Sequence, residues 1–257
     1  MSIREDLLYM LLPSGNSEDA GWGKYPDTWL ECPVPSGNAI NILIADNVPY
    51  NTGEKQNTVT LYIDHIAQDS GEFTATVYWG DGTSDYYYSG DADYEFTVEH
   101  TYAEGSGHTF YEGCEQWLIS VVIEGNGTVW QLNNGYMLAI CSGNTYNYGD
   151  RYISYWYGNH NTIQYINVQG DTVPAMFAQT LNGLHYIDAP NLTKIPSRCA
   201  FNCQGLLGIE APKAQSISDD AFNFCYGLQY VTVSAECDVS GVALNNCYSF
   251  VNFIQEE

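Results

Sequence analysis

Basic residues are scarce in this chain of 257 residues, which has seven lysines and arginines against 31 acidic residues and a formal net charge of −24. No Lys or Arg lies between Gln56 and Asp150. A field of that sign repels nucleic acids and anionic lipids, so neither is an expected partner. No apolar run approaches the length of a membrane-spanning helix, and we expect no membrane span.

Catalytic and metal-binding motifs are also missing from the sequence. It contains no Gly-x-Ser-x-Gly, no His-Glu-x-x-His and no phosphate-binding loop, and its five histidines are scattered. Neither a Cys-x-x-Cys pair nor the calcium-loop pattern Asp-x-Asp-x-Asp-Gly occurs. We therefore expect a protein that is not an enzyme and that has no resident cofactor.

One group of acidic residues leaves an alternative open. Asp81, Asp85 and Asp91, with Asp93 nearby, fall at one edge of a predicted sandwich. Carboxylate oxygens are the ligands that Ca²⁺ prefers. Because the calcium-loop spacing is absent, a solvated acidic rim is the favoured interpretation and a Ca²⁺ site is the alternative.

The first 55 residues are predicted to form a short helix followed by an extended arm. Ser2 is a suitable N-cap and Pro13 a stop, and the start of the chain lacks the features of a secretory signal peptide. So short a helix is not stable alone, so it docks either on its own body or on a partner. Within the arm, only Ala39–Ala45 has a strand-like pattern. The candidate docking residues are Leu7, Leu8, Leu11, Leu12, Trp22 and Trp29.

Residues 56–125 alternate between apolar and polar side chains, which predicts an antiparallel β-sandwich. The clearest runs are 59–63, 73–79, 96–98 and 117–123. Gly80-Asp81-Gly82-Thr83 and the later His100-Thr101-Tyr102 resemble the turn and downstream motif of a PKD domain, which has an immunoglobulin-like fold. The resemblance implies structural roles, with Asp81 capping the turn and His100 acting as a hydrogen-bonding partner. The segment 103–116 departs from the family and is expected to be an insertion.

Residues 163–257 repeat at a spacing of 22, which predicts a stacked solenoid whose units bury their apolar faces on one another. Three cysteines share this spacing, and we expect them to be buried, reduced core thiols. Residues 126–162 are expected to connect the two domains and to cap the solenoid. The repeating columns are Leu184, Leu206, Leu228 and Phe250; Ile187, Ile209, Val231 and Phe253; Cys203, Cys225 and Cys247; and Ile195, Ile217 and Val239.

The repeat unit resembles the BspA-type leucine-rich repeat. In one unit Ala221, Phe222, Cys225, Leu228 and Val231 match the family's pattern, and the turn before each cysteine is expected to contain a short helical turn. The expected fold class is therefore mainly β, with a PKD-type immunoglobulin-like sandwich followed by a short leucine-rich-repeat solenoid and preceded by a short helix.

The two resemblances imply a non-catalytic attachment protein, either a phage virion component or a bacterial BspA-like surface adhesin. The absence of an export signal favours the virion, assembled in the bacterial cytoplasm. An accessory binding module of a carbohydrate-active enzyme is a further alternative. We expect the arm to bind other structural proteins, the displayed domains to contact a cell-surface glycan or protein, and the chain to be capable of forming a homo-oligomer. On this hypothesis the body folds without residues 1–55.

Overall fold

The computed structural model describes residue 30 and residues 38–45, 58–64, 73–88, 95–111, 114–125, 139–141 and 163–256, except residues 174, 176 and 180. Within these ranges the regular elements are β-strands, and no α-helix is present. The described chain is mainly β, as the periodicities predicted. The helix expected at residues 1–12 lies outside the described residues. No helix that could cross a membrane is found in the described part of the chain.

The described strands form three sheets. The largest has ten strands, in which a parallel half and an antiparallel half share one hydrogen-bonded surface. The strands are β1 (Asn38–Ala45), β2 (Thr58–Asp64), β3 (Phe73–Tyr78), β4 (Ser84–Tyr88), β5 (Glu95–Thr101), β6 (His108–Tyr111), β7 (Cys114–Gly125), β8 (Ala139–Cys141), β9 (Ile163–Val168), β10 (Tyr186–Asp188), β11 (Lys194–Ile195), β12 (Gly208–Glu210), β13 (Ser216–Ile217), β14 (Tyr230–Ser234) and β15 (Asn252–Glu256). The order in the large sheet is β15-β14-β12-β10-β9-β1-β7-β3-β4, with β6 beside β7; β11-β13 and β5-β2-β8 form the other two sheets.

The 22-residue spacing corresponds to a solenoid-like run of parallel strands. Ile187 of β10 pairs with Ile209 of β12, Ile209 with Val231 of β14, and Val231 with Phe253 of β15. Leu206, one turn before β12, is fully buried, as expected for a core column. Equivalent residues of successive repeats therefore lie side by side, and each repeat buries its apolar face against the next.

The segments between the parallel strands are turns, where a short helical turn was expected. Phe201 N donates to Arg198 O at 3.2 Å, and Cys203 N donates to Ala200 O at 3.2 Å. These bonds close tight four-residue turns that do not continue into an α-helix. Bonds between repeats, such as Ala200 N to Ala221 O at 2.9 Å, then tie each turn to its neighbour.

Strand β1 joins the two halves of the large sheet. It pairs antiparallel with β7 along its whole length and with β9 on its other side. Ile40, Ile42 and Ile44 face the main core, and the opposite face of the strand is buried as well. A strand buried on both faces needs a nearly continuous apolar sequence. The sequence of β1, Asn-Ala-Ile-Asn-Ile-Leu-Ile-Ala, is apolar at every position except its two asparagines. Residues 38–45 of the predicted arm are thus part of the folded body.

The antiparallel strands of the large sheet and of the separate β5-β2-β8 sheet include those that alternation predicted, together with others that it did not. The runs at 59–63, 73–79, 96–98 and 117–123 correspond to β2, β3, β5 and β7. Strand β6 lies within the segment expected to be an insertion and pairs with β7 as a hairpin. In the segment expected to connect and cap, β8 pairs with β2. Short edge pieces such as these carry too few residues for a recognisable period.

A chain lacking residues 1–55 is expected to lose cooperative unfolding, contrary to the expectation from sequence. The deletion removes β1, so β7 and β9 lose the strand that both of them bind. Circular dichroism and tryptophan fluorescence during urea unfolding measure the effect. The control is a chain lacking residues 1–29, which keeps Leu30 and β1. A single transition of unchanged midpoint in the larger deletion would contradict the central role of β1.

Candidate functional site

The Trp79–Thr83 turn is a compact hydrogen-bonded loop. Gly80 and Gly82 have φ values of +87° and +91°, and a side chain at Gly80 would clash with the backbone of Leu118. Asp81 Oδ1 accepts hydrogen bonds from Thr83 N at 3.0 Å and from Thr83 Oγ1 at 2.6 Å. Asp81 therefore closes the turn through its own side chain, as the sequence predicted.

The same aspartate anchors a stack of rings from neighbouring elements. His100 Nε2 lies 2.8 Å from Asp81 Oδ2, and the imidazole stacks on Trp79 at 4.7 Å between centroids. Tyr102 donates from its hydroxyl to Trp79 O at 2.7 Å and stacks on Trp117 at 4.2 Å. The predicted structural role of His100 is confirmed: it ties β5 to the turn.

The geometry at Asp81 does not form a nucleophile–histidine–acid relay. Thr83 donates its hydroxyl proton to Asp81, so His100 is not the base that accepts it. Burial alone would raise the pKa of Asp81, but hydrogen bonds from Thr83 and His100 outweigh burial and hold that pKa below its usual value. A carboxylate that stays ionised and bonded on both oxygens stabilises the turn.

The acidic edge considered for Ca²⁺ is engaged in the same network. Asp85 Oδ2 accepts a hydrogen bond from Trp79 Nε1 at 2.8 Å, and Asp81 is bonded to Thr83 and His100. Asp91 lies outside the described residues. Among the residues that are described, no group of three His, Cys, Asp or Glu side chains is arranged to hold a metal ion. A Ca²⁺ site at this edge stays the alternative interpretation, and the solvated acidic rim stays the prediction.

The predicted docking residues of the arm also lie outside the described residues: Leu7, Leu8, Leu11, Leu12, Trp22 and Trp29. Leu30, which follows Trp29, is described. Its backbone N donates to Gln116 Oε1 at 3.2 Å, and its side chain packs on a small apolar cluster formed by Leu43 and Tyr165. The arm therefore touches its own body at Leu30.

A row of polar side chains crosses the large sheet on the face away from the main core. Ser120 Oγ donates to Asn41 Oδ1 at 2.6 Å, and Asn41 Nδ2 donates to Asn167 Oδ1 at 3.1 Å. Asn167 Nδ2 in turn donates to Asp188 Oδ2 at 3.2 Å, and Glu210 pairs beside Asp188 in the next strand. Asn41 is completely buried. Because these partners satisfy its amide, they also fix the register of β1 between β7 and β9.

Further along this face, the ring of Tyr230 lies across β12. A side chain at Gly208 would overlap that ring, so glycine at this position makes room for the tyrosine. The Tyr230 hydroxyl reaches Glu210 Oε1 at 3.4 Å. Neither position stood out in the sequence, because the fit depends on two strands that lie 22 residues apart.

The repeated cysteines form a ladder inside the solenoid. Cys203 Sγ lies 2.7 Å from Ala178 O, Cys225 Sγ 2.8 Å from Ala200 O, and Cys247 Sγ 3.0 Å from Phe222 O. Each thiol thus donates to a carbonyl 25 residues earlier. Five cysteines of the solenoid are buried and form no disulfide, which confirms the expectation for the repeat column: Cys199, Cys203, Cys225, Cys237 and Cys247.

A group of aromatic side chains lies on the outside of one solenoid corner. The rings of Tyr226 and Tyr248 stack at 5.7 Å with an angle of 10°, and Phe201 meets Phe224 edge to face at 5.4 Å. Tyr248 is 79% exposed. Unlike the Asp81 turn and the cysteine ladder, this group is accessible to a partner.

Comparisons with models of protein families, with curated proteins and with solved structures found no match to this chain. The function of the chain is therefore inferred from the geometry of its described residues. Asp81, His100 and the cysteines serve the fold, whereas the solenoid corner carries exposed aromatic side chains. That corner is the candidate functional site.

Replacing Asp81 by Asn is expected to lower stability at pH 7 by about 0.5–1.5 kcal/mol, because the ionised acceptor of Thr83 and His100 is lost. The folded-state pKa of Asp81 is depressed, so its contribution is present above the ordinary pKa of 3.8 and is lost as pH falls through the folded value. Urea unfolding from pH 7 to pH 2 measures this. Asp81→Asn should show a shallower acid limb than the parent.

The matched control is Asp238→Asn. Asp238 bonds Ser240 N at 2.9 Å and Ser240 Oγ at 2.7 Å, as Asp81 bonds Thr83. It is exposed, and these bonds join it only to its own turn. An effect at Asp238 as large as the effect at Asp81 would show that the turn, and not the bond to His100, carries the stabilisation.

The buried thiols are expected to resist alkylation at pH 8 in the folded protein and to react after denaturation. Burial raises the pKa of Cys199 and of Cys225 from 9.0 to about 12. Because burial favours the protonated thiols, these cysteines stabilise the folded state fully below the unfolded pKa of 9.0. Their contribution to the free energy of unfolding declines as pH rises from about 9 towards 12. Mass spectrometry after iodoacetamide treatment counts the modified cysteines. Rapid labelling of Cys225 in the native protein would contradict a buried ladder.

Proposed function

We propose that this chain is a non-catalytic attachment and display protein, a phage virion component such as a head-decoration, fibre or tail-associated protein. The observation that carries the proposal is the ten-stranded sheet in which β1 unites the antiparallel strands with the solenoid-like run. A body built on one continuous sheet holds its surfaces in a fixed relation, as a displayed binding module requires.

The finer identity of the two parts belongs to the same proposal. A PKD-type sandwich is supported by two contacts of the Trp79–Thr83 turn. Asp81 contacts His100 in β5, and Tyr102, which directly follows β5, donates to Trp79 O. BspA-type repeats are supported by the parallel register at 22-residue spacing and by the cysteine ladder. Both kinds of module offer extended surfaces suited to binding.

Attachment is assigned to the segment that precedes Leu30, with Leu7, Leu8, Leu11, Leu12, Trp22 and Trp29 as its docking residues. Leu30 contacts the body beside Gln116 and Leu43, so the preceding chain starts from a defined point on the body. Its partners are other structural proteins of the assembly, while the displayed surface meets a cell-surface glycan or protein. The net charge of −24 disfavours nucleic acid.

Two other functions would use the same displayed body. A bacterial BspA-like adhesin would present it on the cell surface, and an accessory module would direct a carbohydrate-active enzyme to its substrate. Free thiols at the five buried cysteines of the solenoid favour assembly in a reducing cytoplasm over export, because disulfides accumulate in oxidising compartments. We therefore place the virion first.

The decisive experiment expresses a tagged chain in the source cells and analyses purified particles by mass spectrometry and electron microscopy. The full chain should copurify with particles, and a chain lacking residues 1–29 should be excluded while keeping a cooperative unfolding transition. Recovery of the full chain from the bacterial surface, with none in particles, would favour the adhesin. Equal incorporation of the shortened chain would refute docking through the arm.

A further inference from the structure

Two columns of side chains repeat at 22-residue spacing on one outer corner of the solenoid, and we call them the corner stripe. The residues of its second column are exposed: Tyr226 by 38% and Tyr248 by 79%. Exposed tyrosines at a repeating position contribute little to the core, so their placement needs another explanation. The first column is Asn202, Phe224 and Asn246; the second is Gln204, Tyr226 and Tyr248.

The two columns lie side by side. Gln204 Nε2 donates to Asn202 Oδ1 at 3.2 Å, and the Tyr248 hydroxyl donates to Asn246 Oδ1 at 2.7 Å. Side chains two residues apart are therefore in contact in both of these repeats. In the repeat between them, Phe224 and Tyr226 occupy the equivalent positions. Amide groups and aromatic rings thus form one strip.

Phe224 gives independent support because its backbone is strained. Asn202, Phe224 and Asn246 all have positive φ, at 58°, 65° and 61°. Asparagine tolerates this conformation, whereas a bulky residue rarely adopts it and loses on the order of 1 kcal/mol or more by doing so. Phe224 is only half-buried, so core packing does not account for it. Strain of this kind clusters at functional sites.

The ring of Phe224 is held in place from one side. It meets the ring of Phe201 edge to face, and the guanidinium of Arg198 lies 5.4 Å from the centre of the Phe201 ring. In the second column, Tyr248 stacks on Tyr226 and most of its side chain stays exposed. The aromatic groups are therefore ordered before any ligand arrives, which lowers the entropic cost of binding.

The chemistry of the stripe matches one class of ligand. Aromatic faces carry partial negative charge and attract the C–H groups on the apolar face of a sugar ring. Side-chain amides donate and accept hydrogen bonds, as sugar hydroxyls require. Nucleic acid bases also stack on aromatic rings, but a chain of net charge −24 repels polyanions. The same repulsion disfavours acidic polysaccharides.

We propose that the corner stripe binds a neutral polysaccharide, with Tyr248 as the main stacking residue and the amides of Gln204 and Asn202 contacting hydroxyl groups. This inference rests on the proposed display function and names the kind of cell-surface molecule that the displayed body contacts. Successive repeats place equivalent side chains at strand spacing along the solenoid, so an extended chain of sugars can follow the stripe.

Affinity electrophoresis of the full-length protein in gels containing soluble neutral glucan, mannan or galactan tests the proposal, with polygalacturonate as the acidic counterpart. The parent should be retarded by at least one neutral polymer. Tyr248→Ala should lower affinity at least tenfold, and Tyr248→Phe should keep most of it because the ring remains. Tyr86→Ala is the matched control, since Tyr86 is 66% exposed on β4, at the far end of the sheet.

Three results of the electrophoresis would overturn the inference. They are no retardation in any neutral polymer, stronger retardation by polygalacturonate than by neutral polymers, and equal binding by Tyr248→Ala and the parent. Cell binding that survives periodate oxidation of surface sugars but is lost after protease treatment would identify a protein receptor instead, and would also refute it. Because Tyr248→Ala keeps residues 1–29, it should still enter particles. Incorporation of the parent chain into particles, with no binding of the parent to any neutral polymer, would refute this inference alone and leave the proposed display function standing.

Discussion

The hydrogen bonding of β1 to two partners is the constraint on which the rest of the described fold depends. A strand that pairs with β7 on one side and β9 on the other turns an antiparallel sheet and a parallel solenoid-like run into one surface. Two kinds of contact fix the position of β1. Its isoleucines pack into the main core, and the buried amide of Asn41 is hydrogen-bonded to Ser120 and Asn167. A shift of one residue would bury the wrong face and leave that amide unpaired.

The solenoid shows how a repeat can satisfy its backbone without helices. Four-residue turns leave other carbonyls directed towards the neighbouring repeat, and backbone N–H groups and cysteine thiols donate to them. A thiol is small enough for the packed interior and still provides a weak donor, which accounts for the repetition of cysteine every 22 residues within the chain. Positive φ at Asn202, Phe224 and Asn246 belongs to the same turn geometry. The corner stripe is therefore a product of the repeat, with aromatic residues substituted at positions that the fold leaves outside.

The division between structural and accessible residues supports the proposed function. Asp81 and His100 belong to residue types that often perform catalysis, yet each is used to join a turn to a strand. The cysteines are enclosed, and burial raises the pKa of Cys237 and of Cys247 as well, so reactive thiolates are disfavoured. Exposed tyrosines on a rigid solenoid are the opposite case, because they contribute little to the core and are free to contact a partner.

The sequence by itself determined the local features of this protein. The 22-residue columns from Leu184 to Phe253, the alternating strands β2, β3, β5 and β7, and the turn closed by Asp81 all depend on residues near one another in the chain or on a repeated period. It also predicted that His100 is structural. Only the tertiary structure decided that β1 is the joining strand, that Gly208 makes room for Tyr230, and that columns of Asn, Phe and Tyr form one stripe. These features depend on the register between strands that are distant in sequence, and no local period encodes which strands become neighbours.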